Sequence, residues 1–297
     1  MMKKAFKFEV RDEKKIRVIV DTDAACEADD PFAIAHALLS PKLIVEGITA
    51  EHFAKTDSVQ RSFEEIRTIT EAMGMNVPIF LGEEGALDEQ ASGNSQAVEF
   101  IIEQALKEEN HPLYILAMGA ITNVAAAFRK CPEIIKRVTV VWIGTHGIRY
   151  GTVPFREFNA GNDVKAANEV LQSGARIWLI PSYVYTTMHI GLAEIQNRIY
   201  PYGEIGRHLF ENMVSYNMTS DEAAWTQGES WSLGDSPSVA VTLNPECGHY
   251  AETKAPWVGE DTSSVPREDS PLIRVYSDVD SRYVLEDFIN KLQLQYS

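Results

Sequence analysis

A regular alternation of short apolar runs with amphipathic stretches is the feature that most constrains the fold of this chain. The apolar runs are five to eight residues long, a length typical of strands buried on both faces. They are Ile16–Val20, Leu43–Ala50, Val77–Leu81, Leu113–Met118, Val138–Ile143 and Ala175–Ile180. Between them, apolar residues spaced three and four apart predict helices, as in Ser58–Met73 and Ser95–Glu108. Strands that alternate with helices in this way predict an open, mostly parallel, doubly wound (Rossmann-like) α/β sheet with helices on both faces.

The pattern becomes less regular after Pro181, where the last apolar run ends. The further elements expected there are helices at Leu192–Tyr200, Glu204–Met218 and Ser281–Leu294 and a strand at Ile273–Val279. Ser236–Leu243 fits either a short helix or a strand, whereas Glu222–Gly234 is more typical of a loop and Gly248–Arg267 is rich in turn and polar residues. Because the sequence has no internal repeat, low-complexity tract or linker, we expect one α/β domain over residues 1–297.

Charge and composition narrow the classes of partner. The formal net charge of -16 disfavours nucleic acid or an anionic membrane and suits a soluble protein that handles a neutral or cationic small molecule. Cys26, Cys131 and Cys247 are widely spaced, which indicates reduced thiols rather than disulfides or a zinc site. The N-terminus lacks the apolar core of a signal peptide, and no apolar run approaches the ~18 residues of a membrane span. We therefore expect a cytoplasmic protein.

Four carboxylates follow the first predicted strand within a few residues. Asp21 and Asp23 end the strand, and Asp29 and Asp30 come just before Pro31, with Asp30 placed to cap the helix that Pro31 begins. Carboxylates so close together repel one another unless some are protonated or a cation lies among them. Oxygen ligands select a hard cation, calcium or magnesium, and a water bound to such a cation beside a spare carboxylate favours metal-assisted hydrolysis.

Polar residues also follow the other predicted strands, and these ends meet at one edge of a parallel sheet. The candidates there are Glu51, His52, Gly119 to Asn123, Gly144 to His146, Arg156 to Asn159, Trp231, Gly234 and Asp235. Their spacing indicates no serine–histidine or cysteine–histidine pair. A Walker-type phosphate loop and a G-x-G-x-x-G motif are both absent. The expected site is therefore rich in carboxylates and amides.

Four segments carry a resemblance to a known family. DTD followed by DD, MGAITNVA at Met118–Ala125, EFN at Glu157 to Asn159, and GDSPSVAV around Asp235 occur in that order. Together they resemble the signature segments of the inosine/uridine-preferring nucleoside hydrolases, over roughly residues 16 to 243.

The resemblance implies an enzyme that hydrolyses the N-glycosidic bond of a ribonucleoside around a bound calcium ion. The family's ligand positions correspond to Asp23, Asp30, the Thr122 carbonyl and Asp235, with Asp21 completing the surroundings of the ion. Asp23 corresponds to the base that activates water. Ribose hydroxyls would be held by Asp29, Glu157 and Asn159, and family members tend to form dimers and tetramers. His52 is a candidate acid, as is His146, and Trp231 could stack on an aromatic leaving group.

This chain also departs from the family pattern. Ala24 to Ala28 form a longer spacer than the usual Pro-Gly, and Gly234 stands where a histidine often precedes the late aspartate. Asparagines expected after the second strand and near Tyr150-Gly151 are absent. The usual nucleoside preference, purine or pyrimidine, therefore cannot be transferred to this chain.

Simpler interpretations compete with these assignments. The paired aspartates could be helix caps and solvated loop charges, Thr122 and Asp235 are good N-caps, and Glu27 could be an ordinary loop carboxylate. Trp231 could equally pack in the core. At the level of function, the alternatives are a non-catalytic metal- and ribose-binding relative and a phosphohydrolase of the haloacid dehalogenase type, which also opens with a strand and D-x-D.

Overall fold

The computed structural model describes residues 6–89, 91–148, 155–218 and 226–297. Within them the strands, in chain order, are β1 (Ile16–Thr22), β2 (Leu43–Ala50), β3 (Ile79–Leu81), β4 (Leu113–Ala117), β5 (Val138–Ile143), β6 (Arg176–Ile180), β7 (His189–Gly191), β8 (Ser230–Ser232), β9 (Gly248–Lys254), β10 (Trp257–Val258), β11 (Ser264–Val265) and β12 (Leu272–Val279). The helices are α1 (Asp30–Leu39), α2 (Ser58–Ala72), α3 (Gln96–Leu106), α4 (Thr122–Lys130), α5 (Phe158–Asn162), α6 (Val164–Gln172), α7 (Ser182–Tyr185), α8 (Leu192–Arg198), α9 (Gly203–Met218), α10 (Ser236–Leu243) and α11 (Ser281–Tyr296).

Eight of the strands form one sheet in the order β3-β2-β1-β4-β5-β6-β12-β9. All neighbouring pairs are parallel except β12 and β9, which are antiparallel. The chain runs outward from β1 through β2 to β3, then crosses to β4 on the other side of β1. The predicted mostly parallel, doubly wound sheet is therefore confirmed. Its topological switch point lies between β1 and β4, where open sheets of this kind bind ligands.

Helices cover both faces of this sheet because alternate residues of each strand point to opposite sides. Val18 and Val20 of β1 belong to one buried apolar cluster, whose helical members include Phe32 of α1 and Phe288 of α11. Ile19, between the two valines, belongs to the other cluster, together with residues of α3, α4 and α6 such as Val124. The apolar runs of the central strands are continuous because both faces of these strands are buried.

The region after residue 236 contains three strands that sequence reasoning missed, β9, β10 and β11. Ser236–Leu243 is a helix, one of its two predicted forms, but Gly248–Lys254 is a strand rather than a turn-rich segment. This strand, β9, is at the edge of the sheet, and most of its side chains are exposed, including Glu252 and Lys254. An edge strand with polar, charged residues has no apolar pattern to reveal it, and the charges discourage pairing with other chains.

The segment predicted as a loop between Glu222 and Gly234 also contains a strand in its described part. Ser230–Ser232 pairs antiparallel with His189–Gly191 to make a small separate ribbon. Across the described residues, none of the helices is both long enough and apolar enough to cross a membrane.

A buried polar contact joins α1 to α11. The Nε2 atom of His36, a fully buried residue, lies 2.8 Å from Oδ2 of Asp287. Lys291 donates to the same carboxylate and, at 2.9 Å, to the hydroxyl of Ser40. Burial lowers the pKa of His36 below its ordinary value, despite the hydrogen bond with Asp287 that opposes the shift. The folded protein therefore favours the neutral imidazole.

This contact predicts a pH-dependent loss of stability. The unfolded chain takes up a proton at His36 near pH 6.5, whereas the folded chain does so only at lower pH, so the free energy of unfolding falls as the pH drops from about 7 towards 5. The slope for this single group is at most roughly 1.4 kcal/mol per pH unit. Glutamine cannot titrate, so in His36→Gln the fall in the free energy of unfolding that is due to this residue is expected to disappear. Urea unfolding measured between about pH 7 and pH 5 tests this expectation.

His249→Gln is the control for this experiment. His249 is an exposed histidine beside Asp278, whose hydrogen bond raises the pKa of the imidazole. Its replacement is expected to leave the acid-side loss in place. An identical pH profile for wild type and His36→Gln would contradict the assignment.

Candidate active site

A cavity lies at the carboxyl ends of β1, β4 and β5, at the switch point of the sheet. It encloses about 380 Å³, including the part that is open to solvent. Six carboxylate side chains line it: Asp23, Glu27, Asp29, Asp30, Glu157 and Asp235. No lysine, arginine or histidine of the described residues is part of the lining. The cavity therefore combines high negative charge with few groups to balance it.

Three of these carboxylates come from two helix N-termini that meet in space. Asp29 is the N-cap of α1, one residue earlier than predicted, Asp30 is the first residue of that helix, and Asp235 is the N-cap of α10. Neither N-cap side chain makes a capping hydrogen bond to its helix. Oxygen atoms of Asp29, Asp30 and Asp235 all lie within 4.8 Å of one another. Their carboxylates point into the cavity instead of closing the helix ends, contrary to the simple capping interpretation.

The electrostatics of this cluster fit a bound cation. Burial, followed by repulsion from Asp30 and other carboxylates, raises the pKa of Asp235 well above its usual range. Burial likewise raises the pKa of Asp30 to about 6, although Thr22 donates a hydrogen bond to it. Oxygen atoms of Asp30 and Asp235 lie within 4.8 Å of each other, so their negative charges repel unless a proton neutralises one of them. A divalent cation can replace that proton, and three buried carboxylates are the donor set that a hard cation prefers.

Asp23 and Asp21 have different environments although both follow β1. Asp23 lines the cavity, and burial and the neighbouring carboxylates Asp30, Glu27 and Asp29 raise its pKa well above the usual range. The structure places Asp21 behind the cavity wall, where its Oδ1 accepts hydrogen bonds from Thr49 at 2.6 Å and from Asn123 at 2.9 Å. Asp21 therefore supports the strand end and is not a direct ligand candidate.

The loop after β4 is held tightly against these acids. A Cβ atom at Gly119 would lie 2.6 Å from Oε2 of Glu51 and 3.1 Å from Asp23, so only glycine fits there. Glu51 accepts hydrogen bonds from the backbone N–H groups of Ile121 and Asn123. Ile121 has a positive φ of 65°, which is costly for a β-branched residue. A strained residue therefore lies in the loop that follows β4 at the cavity.

The predicted role of Thr122 is not supported by its position. Thr122 is the first residue of α4, so its carbonyl points along the helix and is used within it. Its hydroxyl contacts His52 Nε2 and donates to Asp163, each at 2.8 Å, and it does not line the cavity. Met118, at the end of β4, does line it. The position of Thr122 in the helix therefore does not favour its carbonyl as a ligand, and that role stays a prediction.

His52, Trp231 and His146 also lie away from the cavity. His52 is buried and lines a neighbouring pocket beside the N-terminus of α2. Trp231 is in the apolar core, where its ring packs edge-on against Tyr216. His146 contacts the Ser182 hydroxyl and the Phe155 carbonyl. The lining of this cavity therefore does not support an acid role for His52 or His146 or a stacking role for Trp231, and these roles stay predictions.

Glu157 and Asn159 both line the cavity, as predicted, but their side chains are already well bonded. Glu157 is the N-cap of α5, and its Oε2 accepts from the backbone N–H groups of Thr145 at 2.9 Å and Ala160 at 2.8 Å. Asn159 donates both amide hydrogens to backbone carbonyls, those of Met118 and Ile143, each at 2.9 Å. These side chains tie the ends of β4 and β5 to α5.

Several cavity residues were missed or undervalued from the sequence. Glu27, interpreted as a loop carboxylate, lines the cavity, and burial followed by the charges of Asp30 and Glu157 raises its pKa to about 7. Cys26, Phe158 and Tyr185 also line it. Phe158 is 39% exposed. Its place inside the EFN segment was the signal that the sequence offered. Tyr185 carries no motif, and only the three-dimensional structure reveals it.

The departures from the family pattern also have structural positions. Gly234 lines the cavity, and a Cβ atom there would lie 3.1 Å from Oδ2 of Asp29 and 3.3 Å from the ring of Tyr185. The space that a histidine would occupy is thus partly filled. Tyr150 and Gly151 lie outside the described residues.

Comparison with known proteins identifies the family. A family model described as inosine-uridine preferring nucleoside hydrolase matches residues 18–285. An uncharacterized protein of Schizosaccharomyces pombe is 26% identical over 206 residues, which cover 61% of this chain and 65% of that protein. The pyrimidine-specific ribonucleoside hydrolase RihA of Salmonella schwarzengrund is 28% identical over 274 residues, 82% of this chain and 84% of RihA.

A solved structure supports the same conclusion at the level of the fold. The purine-preferring ribonucleoside hydrolase from Gardnerella vaginalis matches with a TM-score of 0.79 and 23% identity, covering 94% of this chain and 99% of that one. The resemblance inferred from the four ordered segments is thereby confirmed. Since the family model spans most of its length, the chain belongs to the inosine-uridine preferring nucleoside hydrolase family and is a hydrolase.

Proposed function

We propose that this protein hydrolyses the N-glycosidic bond of a ribonucleoside or a related N-riboside with the help of a bound calcium ion. The observation that carries the proposal is the buried carboxylate cavity at the sheet switch point, in a member of the nucleoside hydrolase family. The substrate is a small molecule. We also retain as predictions a single domain, a cytoplasmic location, and a dimer or tetramer.

The carboxylates of Asp23, Asp30 and Asp235 are the side chains proposed to hold the cation. For the main-chain ligand we propose the Met118 carbonyl in place of the Thr122 carbonyl, because Met118 lines the same cavity at the end of β4. Calcium takes six to eight oxygen ligands in a flexible arrangement, which suits carboxylates presented by loops and helix ends. When bound, the cation would lower the pKa of a coordinated water and orient it towards the sugar.

Asp23 is the proposed base. It lies at the end of a rigid central strand, lines the cavity and is close enough to other carboxylates for their charge to raise its pKa. A carboxylate beside a coordinated water is placed to accept a proton from it. Cleavage at the anomeric carbon passes through an oxocarbenium-like state, and the remaining carboxylates, Asp29 among them, stabilise its positive charge.

Among the residues that the structure describes, no histidine lines the cavity. We propose Phe158 as the aromatic contact for the leaving group, in place of Trp231, because it is exposed and lines the cavity. The relatives include both pyrimidine-specific and purine-preferring enzymes. A substrate panel for this chain therefore has to contain both kinds of nucleoside.

One alternative function is favoured by a specific observation. Glycine at position 234 removes the usual leaving-group acid, which would suit a relative that binds metal and ribose without turnover. A phosphohydrolase of the haloacid dehalogenase type is disfavoured. Phosphate transfer in such enzymes needs a lysine at the site, and no lysine lines the cavity within the described residues.

Cation binding is expected to stabilise the folded protein in a pH-dependent way. Because burial raises the pKa of Asp30 to about 6 and of Glu27 to about 7, the cation-free protein loses stability as the pH rises from about 4 to 7. Calcium competes with those protons, so the gain in melting temperature on adding calcium is larger at pH 8 than at pH 5. At a free calcium concentration of 100 Kd, the free energy of unfolding rises by about 2.7 kcal/mol.

The matched variants for this measurement each remove one negative charge. Asp235→Asn is expected to abolish most of the calcium-induced shift, whereas Glu252→Gln, on the exposed edge strand, is expected to keep it. Equal shifts in the two variants would show that calcium binds elsewhere.

Asp23→Asn tests the catalytic assignment. Removing the base is expected to lower the hydrolysis of uridine or inosine by about 100- to 10,000-fold, measured as release of reducing sugar. Asp269→Asn, at an exposed position, serves as the control and is expected to retain wild-type turnover. Full activity in Asp23→Asn contradicts the assignment. A wild type that binds calcium but cleaves no nucleoside of the panel supports the non-catalytic alternative.

A further inference from the structure

Glu157 has little capacity left for a substrate. A carboxylate offers about four lone-pair directions, and Glu157 already meets four donors. Oε2 accepts from the N–H groups of Thr145 and Ala160, and Oε1 accepts from the N–H of Asn159 at 3.4 Å and from the hydroxyl of Tyr185 at 2.9 Å. Its side chain is fully buried. Glu157 therefore acts as a fixed acceptor that orients its neighbours.

Tyr185 is the neighbour that reaches the cavity. It is the last residue of α7, it lines the cavity, and it is only partly buried. Its hydroxyl hydrogen is directed to Glu157, because an ionised carboxylate can only accept. The lone pairs of the Tyr185 oxygen are therefore the part of the hydroxyl that remains for a ligand.

Gly234 makes the position of the Tyr185 ring possible. A side chain at residue 234 would begin 3.3 Å from Cδ2 of Tyr185. The ring thus lies against the wall at the point where the late segment enters the site, and the charges of Glu27 and Asp235 act on its hydroxyl. Tyr185 therefore shares the cavity wall with Glu157, Glu27 and Asp235.

We propose that Tyr185 is a substrate-contacting residue whose oxygen accepts a hydrogen bond from a sugar hydroxyl, and that Glu157 is the positioning residue that fixes the Tyr185 hydroxyl as an acceptor. This inference rests on the proposed function, since it assumes that an N-riboside occupies the cavity. It assigns to Tyr185 a contact that the sequence resemblance had assigned to Glu157.

The chemistry of the wall supports the assignment. Burial and the nearby Glu157 carboxylate raise the pKa of Tyr185 well above its usual range, so the group remains a neutral phenol. A phenol that donates to a carboxylate is polarised and becomes a better acceptor at its oxygen. A sugar hydroxyl can donate to that oxygen, whereas a deoxy position cannot.

The test is a cycle that combines a protein variant with substrate analogues. The probes are uridine and inosine and their 2′-, 3′- and 5′-deoxy analogues, with kcat and KM measured separately. Tyr185→Phe keeps the ring and its packing but removes the oxygen. We expect kcat/KM for the ribonucleoside to fall about 2- to 10-fold, as for one neutral hydrogen bond. For each deoxy analogue, the deoxy penalty is the fall in kcat/KM relative to the ribonucleoside. In Tyr185→Phe, we expect this penalty to disappear for one of the three analogues and to remain for the other two.

Two further variants separate this role from a structural one. Tyr183→Phe removes a hydroxyl that donates to the Tyr276 carbonyl at 3.4 Å and does not line the cavity, so all three penalties are expected to match wild type. In Glu157→Gln, the side-chain amide can donate a hydrogen bond to the hydroxyl oxygen of Tyr185. That hydrogen bond uses the lone pair that would otherwise accept from the sugar. The same deoxy penalty is therefore expected to shrink in Glu157→Gln, an effect that loss of folding would not produce.

The outcomes distinguish this inference from the proposed function. If wild type cleaves nucleosides but Tyr185→Phe keeps all three deoxy penalties, the contact is refuted and the proposed function stands. If wild type cleaves none of the nucleosides, the proposed function fails, and the contact is measured by thermal stabilisation with D-ribose. Loss of that stabilisation in Tyr185→Phe supports the contact, and equal or absent stabilisation in both proteins refutes it.

Discussion

The repulsion among the buried carboxylates Asp23, Asp30 and Asp235 is the constraint on which the rest of the site depends. Each is almost completely buried, so water cannot screen their charges well, and their pKa values rise in response. A chain free to relax would move such groups apart. They stay together because their backbones are fixed by a central strand and by two helix N-termini, where the partial positive charge of the helix favours an anion. The fold thus maintains a cluster that only protons or a cation can neutralise.

The loops around the cluster show the same compromise between local preference and site geometry. Ile121 and Thr145 both adopt positive φ values, 65° and 60°, which non-glycine residues avoid. Each is held by a carboxylate, since the N–H of Ile121 donates to Glu51 and the N–H of Thr145 donates to Glu157. Acidic side chains that do not bind the cation therefore have a structural use. They stabilise strained turns that bring the ends of β4 and β5 to the cavity, where Met118 and Asn159 line its wall.

Much of the fold was predictable because burial on both faces of a parallel sheet leaves continuous apolar runs in the sequence. The same logic placed Asp23, Asp30, Glu157 and Asp235 at one edge of the sheet, where they line one cavity. The sequence was less informative where a residue's environment depends on tertiary packing. The edge strand β9 is polar and has no apolar pattern, Trp231 packs against Tyr216, and Thr122 directs its carbonyl into a helix. Tyr185 follows a different strand from every recognised segment, so no local spacing could connect it with Glu157.

Gly234 and Tyr185 show why a departure from a family pattern has to be interpreted in three dimensions. From the sequence, glycine at position 234 is only the loss of a histidine. In the structure, the space beside Gly234 is bounded by the carboxylate of Asp29 and the ring of Tyr185, 3.1 and 3.3 Å from where a Cβ atom would lie. Restoring a histidine there would displace one or both of them, and Tyr185 is tied to Glu157 by a 2.9 Å hydrogen bond. Gly234 and Tyr185 therefore pack as one unit, and a single substitution at either position disturbs this wall of the cavity.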